Sequence, residues 1–155
     1  MASRPLNQHG IVLLTILVFI LVTTLAASGL VVMYDTQRKR EREAELLFVG
    51  SQYRRAIASY YNTIPPGGAR ALPTSLEALL EDSRFPTPVH HLRRLYPDPV
   101  TGKNDWNLIR SGGGIVGVSS QSALPPLKQS NFEPGLETLE GKAAYSEWKF
   151  VVPVP

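Results

Sequence analysis

The sequence predicts an α+β fold: a long N-terminal helix, membrane-spanning in its first half, with a small antiparallel β-sheet packed on its second half. Three observations predict it. Residues 11–34 are 24 residues without a charge. Leu46, Val49, Tyr53, Ile57, Tyr60 and Ile64 then recur at helical steps of three and four, as one apolar stripe. After Pro65-Pro66 and Gly67-Gly68 the chain turns to short alternating runs separated by glycine and proline, the pattern of strands and turns.

The first element is the apolar run. At about 1.5 Å per residue it reaches about 36 Å as a helix, against about 30 Å for the hydrocarbon of a bilayer. Thr15, Thr23, Thr24, Ser28 and Gly29 are its polar or small members. Hydroxyls on such a helix bond back to its own carbonyls and cost little. A cleaved secretory signal is the rival reading. Its candidate cut sites lie near Ala27, but the apolar stretch continues past them and exceeds the usual length.

The helix is expected to continue. Residues 35–47 carry charges of both signs, with Lys39–Glu43, Arg38–Glu41 and Arg42–Glu45 spaced three or four apart. No glycine or proline interrupts residues 30–49. The apolar stripe follows and requires something to pack on. Residues 72–86 read as a short second helix, with Thr74 as N-cap, Glu77 completing a capping box, and Leu76, Leu79 and Leu80 as its apolar side. Residues 89–106 form a connector with a short helical option over 89–96. Residues 105–110 and 113–120 read as a hairpin, separated by Ser111-Gly112-Gly113-Gly114. A long proline-punctuated loop leads to residues 145–152, where Trp148, Phe150 and Val152 fall on one face of a last strand. The order is therefore a leader over 1–10, a transmembrane half-helix over 11–34, a soluble amphipathic half over 35–64, and a globular domain over 65–155.

Composition narrows the function. There is no cysteine, which excludes disulfides, thiol nucleophiles and cysteine-bound metals. All 13 acidic residues lie after Tyr34, with 15 of the 16 basic ones, so that part offers nucleic acid no strong field. His90-His91 are adjacent, lack metal-ligand spacing and read as exposed loop residues. Asp98 and Asp105, with Thr101 and Asn104, are candidate calcium ligands; the competing reading is a turn whose aspartates bond their own backbone. The 111–117 glycine run lacks the Lys-Ser/Thr of a phosphate loop and reads as a hairpin turn. Ser119 and Ser120 have no nucleophile-elbow context. Tyr53, Tyr60 and Tyr61 fit core or interface positions. No cluster of acid, base and nucleophile is visible, so no enzyme is expected.

Three stretches carry a resemblance. His9-Gly10-Ile11 ends a short polar leader, YPDPVTGKNDW covers residues 96–106, and AELLFVGSQYRRAI covers residues 44–57. Together with the helix-then-sheet order, they resemble the type IV pilin and type II secretion pseudopilin superfamily. The resemblance implies cleavage after Gly10 by a prepilin peptidase and methylation of the new amine on Ile11. It implies a single-pass protein of the bacterial inner membrane with a periplasmic domain. The subunit would pack by its N-terminal helix into a short filament and do no covalent chemistry. Its partners would be other pseudopilins or pilin-like subunits, the peptidase, an inner-membrane secretion platform and membrane lipid, and not nucleic acid.

Thr15 stands where the family carries a glutamate, and Ile11 where it carries an aromatic residue; the first departure hints at a minor or initiating role. Ser28 and Gly29 are candidate points of close approach between helices. The flanking charges conflict with the family's topology: Arg4 alone precedes the apolar run, and Arg38, Lys39, Arg40 and Arg42 follow it, which by the positive-inside rule places the domain in the cytoplasm. The alternatives are an unprocessed single-span scaffold or regulator and a small secreted domain.

Overall fold

A computed structural model describes the backbone of residues 8–153 and the side chains of residues 10–24 and 35–153. The fold is α+β. Helix α1 spans Gln8–Asn62, and a three-stranded antiparallel sheet is built from β1 (Asn107–Ser111), β2 (Gly114–Ser119) and β3 (Phe150–Val151), in the order β1-β2-β3. The chain divides into two compact units, Met1–Lys39 and Arg40–Pro155.

The expected membrane span is corrected. Among the described residues no helix is long and apolar enough to cross a membrane. The expectation counted residues 11–34 as one run. Side chains are described over 11–24 of it, and those of residues 25–34 lie outside the described ones. The other described piece, residues 35–62, opens on a dense run of charge.

In the second unit, α1 presents Leu46, Val49, Tyr53, Ala56, Ile57 and Tyr60 to one core shared with Ile115, Val118, Trp148 and Phe150. The stripe falls where its spacing predicts, except at Ile64. Helix α1 ends at Asn62, where the turn signals place its end, and Ile64, beyond it, is 48% exposed. The Pro65-Pro66 pair keeps Ile64 out of the helix, since a residue before proline is pushed out of the helical region.

The predicted second helix is absent. A single 3₁₀ turn, Glu77–Leu79, stands in its place, with Leu76 rather than Thr74 at its N-cap position and no side-chain cap bond. Its Leu79 is fully buried, while the backbone turns away to bridge Asp82 to Val89. The helical option over 89–96 is not taken either: His91 and Leu92 donate their amides to the Leu79 carbonyl.

The hairpin forms as predicted. Gly112 and Gly113 sit at φ +57° and +84°, the left-handed pair that a two-residue turn requires. Strand β2 is the central strand and is buried along its whole length. The last strand is shorter than predicted, two residues only. Ser146 and Glu147 are drawn into a 3₁₀ turn, Tyr145–Glu147, held by the Ser146 amide on the Ser122 carbonyl. The alternation survives: Trp148, Phe150 and Val152 are all buried.

Candidate functional site

The residues expected to carry function lie at the start of α1. Gly10 is exposed and helical, and nothing lies within 4 Å of a Cβ built on it. From Ile11 onward the large apolar side chains are uncovered on every face: Ile11 63%, Leu14 63%, Leu17 63% and Phe19 69% exposed, with the residues between them at similar levels. A helix this apolar all round is stable only when other apolar surface covers it.

Its hydroxyls do not interrupt that surface. Thr15 Oγ1 donates to the Ile11 carbonyl at 2.8 Å. Thr23 and Thr24 donate to carbonyls three and four residues back. Thr15 thus keeps only acceptor lone pairs for a neighbour and supplies no charge. Ser28 and Gly29 lie outside the described residues.

The two candidate calcium ligands are put to separate uses. Asp98 is fully buried. Its Oδ1 accepts the Val100 amide at 2.9 Å and its Oδ2 accepts the Ser120 hydroxyl at 2.6 Å, which ties the connector to the residue that follows β2. Gly102, at φ +72°, donates its amide to the Asp98 carbonyl and closes the turn. Asp105 Oδ1 instead accepts the Thr101 hydroxyl at 2.9 Å. Among the described residues no group of three His, Cys, Asp or Glu side chains is placed to hold a metal ion. The aspartate-turn reading describes Asp98, which takes a backbone amide two residues on, and not Asp105, which takes a side-chain hydroxyl.

A second cluster was not foreseen. The His91 side chain is 2% exposed, not the open loop residue its neighbours suggest. Its Nδ1 lies 2.8 Å from Ser59 Oγ on α1, and its Nε2 lies 3.3 Å from Asp82 Oδ2. Serine, histidine and aspartate in hydrogen-bonded sequence invite a nucleophilic reading. The surroundings argue against it. Arg84 donates Nε and Nη2 to the Asp82 carboxylate and a further Nη2 bond to the Tyr60 carbonyl, so the acid is already paired. Those bonds, with the Arg84 amide and His91, outweigh burial and hold the Asp82 carboxyl down to about 2. Ser59 also sits within α1, where the neighbouring amides are spent on helix bonds and none is left to stabilise an oxyanion. The cluster is a tie that fastens the end of α1 to residues 82–91.

Glu43 is the other residue that sequence reasoning missed. It looked like one member of a solvated charge run, yet it is 6% exposed. Its Oε2 accepts the Leu127 amide at 2.7 Å and the Tyr145 hydroxyl at 2.9 Å, and its Oε1 accepts the Lys128 amide at 3.0 Å. Burial, then the Glu43 bond and its negative charge, push the Tyr145 phenol up. A signal was available: residues 43, 46, 50, 53 and 57 run at steps of three and four, so Glu43 extends the buried stripe.

No family model, curated protein or solved structure matches this chain.

Proposed function

We propose that this chain is a non-enzymatic structural subunit, similar to the type IV pilins and type II secretion pseudopilins, that assembles through the apolar start of α1. The observation that carries the proposal is the exposed apolar surface from Ile11 to Val22, which begins directly after Gly10. Cleavage after Gly10 by a prepilin peptidase makes Ile11 the first residue of the mature chain. The same segment on neighbouring subunits then supplies the cover that its own fold does not.

The energy available is large. Eleven large apolar side chains in this segment are half exposed or more. Burying what remains of each is worth roughly 1 kcal/mol, so the segment offers on the order of 10 kcal/mol to an assembly. Close packing between such helices decides which neighbours fit. The reading needs no catalytic centre, and the three buried acids, Glu43, Asp82 and Asp98, are each consumed in structural ties. Its partners are other pilin-like subunits, the peptidase and an inner-membrane secretion platform.

The test is a charge placed in the segment. Leu14→Lys and Leu17→Glu are expected to abolish co-assembly with pilin-like neighbours, read by cross-linking in cells, while leaving the second unit folded. Unchanged assembly in both variants contradicts the proposal.

A further inference from the structure

Within the second unit, one strip of α1 is left uncovered by its own fold. Glu41, Phe48 and Arg55 are seven residues apart, so they line up two turns apart on the helix. Exposed Ala44 and Glu45 fill the space before Phe48, and half-buried Ser51 and Gln52 the space after it. Phe48 is 57% exposed. Beside the strip runs a groove of about 350 Å³, whose other wall is Lys128, Phe132, Glu133 and Leu136.

The strip reads acid, apolar, base along the chain. That order is self-complementary for a partner running the other way. A two-fold axis at Phe48 sets Glu41 of each copy opposite Arg55 of the other, and small Ala44 opposite Gln52. A parallel copy in register sets Glu41 on Glu41 and Arg55 on Arg55, which repel. We propose that this strip docks a second copy of the chain, antiparallel about Phe48, with each Phe48 entering the other copy's groove beside Phe132. Such a contact is isologous, one patch serving both partners. Glu41 also keeps an interaction within its own chain, which a carboxylate with several acceptor positions allows. The contact goes beyond the bundling of apolar segments proposed above. It joins copies that are not parallel neighbours, and it stands or falls separately.

The chain has no cysteine of its own, so introduced ones report cleanly. Full-length Ala44→Cys and Gln52→Cys chains are mixed and mildly oxidised. The antiparallel register predicts a mixed 44–52 disulfide dimer and little 44–44 dimer, since two Ala44 positions are offset by about 12 Å along the helix. Phe48→Ser and Arg55→Glu are each expected to lower the mixed dimer roughly tenfold, and adding Glu41→Arg to Arg55→Glu to restore it. Dominant 44–44 cross-links, absence of any dimer, cross-linking only to a different protein, or a mixed dimer insensitive to those substitutions overturns the proposal. Loss of bundling through Leu17→Glu with the mixed dimer intact leaves it standing.

Discussion

Glu43 shows how much one side chain holds in this protein. Its carboxylate is the acceptor for two backbone amides of the loop that precedes Tyr145 and for the Tyr145 hydroxyl. A glutamine there keeps one acceptor oxygen and turns an N–H₂ toward donors. Glu43→Gln is therefore expected to cost about 2–3 kcal/mol, and Tyr145→Phe, which leaves both amide bonds, about 1 kcal/mol. Urea unfolding followed by the fluorescence of Trp106 and Trp148 reads both. Equal losses, or a Glu43→Gln loss under about 0.5 kcal/mol, show that the carboxylate is not the anchor described. Asp82 makes a prediction in pH. Its carboxyl is depressed from 3.8 to about 2 in the folded chain. The stabilisation is present above the unfolded value and is lost as pH falls from about 4 through about 2. It amounts to about 2 kcal/mol. Arg84→Met removes the main cause, so its stability is expected to change less over that window than that of the parent chain. Parallel pH profiles contradict the assignment.

At the scale of elements, the parts set by period and turn chemistry were legible in the sequence. The stripe of α1 and the glycine hairpin lie where spacing and the run from Ser111 to Gly114 put them. The alternation of Trp148, Phe150 and Val152 identified the buried face correctly and overstated the strand, because alternation reports which side faces the core and not how many residues pair. The capping box at Thr74 and Glu77 pointed to a helix, but Leu79 reaches its buried position through a single turn, and tertiary contacts override local preference. The buried polar residues were not legible. His91 and Glu43 are defined by partners 9 to 102 positions away, and Asp82, although its arginine is two residues on, by its bond to His91 and its full burial, which no local pattern encodes. Gly50 belongs to the same class. A Cβ built on it overlaps the Phe150 ring, so this glycine is what lets α1 and β3 approach. Gly50→Ala is expected to cost about 1–3 kcal/mol in the same unfolding assay, and Phe150→Leu to recover part of that loss in the double variant. Strictly additive losses from the two substitutions rule out this contact as the reason for the glycine.

At the scale of the whole molecule, two kinds of surface divide the labour. The second unit closes its own core, with polar ties at Glu43, Asp82 and Asp98. The start of α1 closes nothing: its apolar side chains stay exposed and its threonines are satisfied within the helix. The proposed function makes that surface part of an assembly, with trimming at the Gly10–Ile11 junction. The most direct measurement is the intact mass and N-terminal sequence of the protein recovered from cells that carry a prepilin peptidase. The account predicts a chain that begins at Ile11 with a methylated amine, and an uncut precursor when Gly10 is replaced by leucine. Recovery of a chain still beginning at Met1, or one beginning near Ala27, contradicts it.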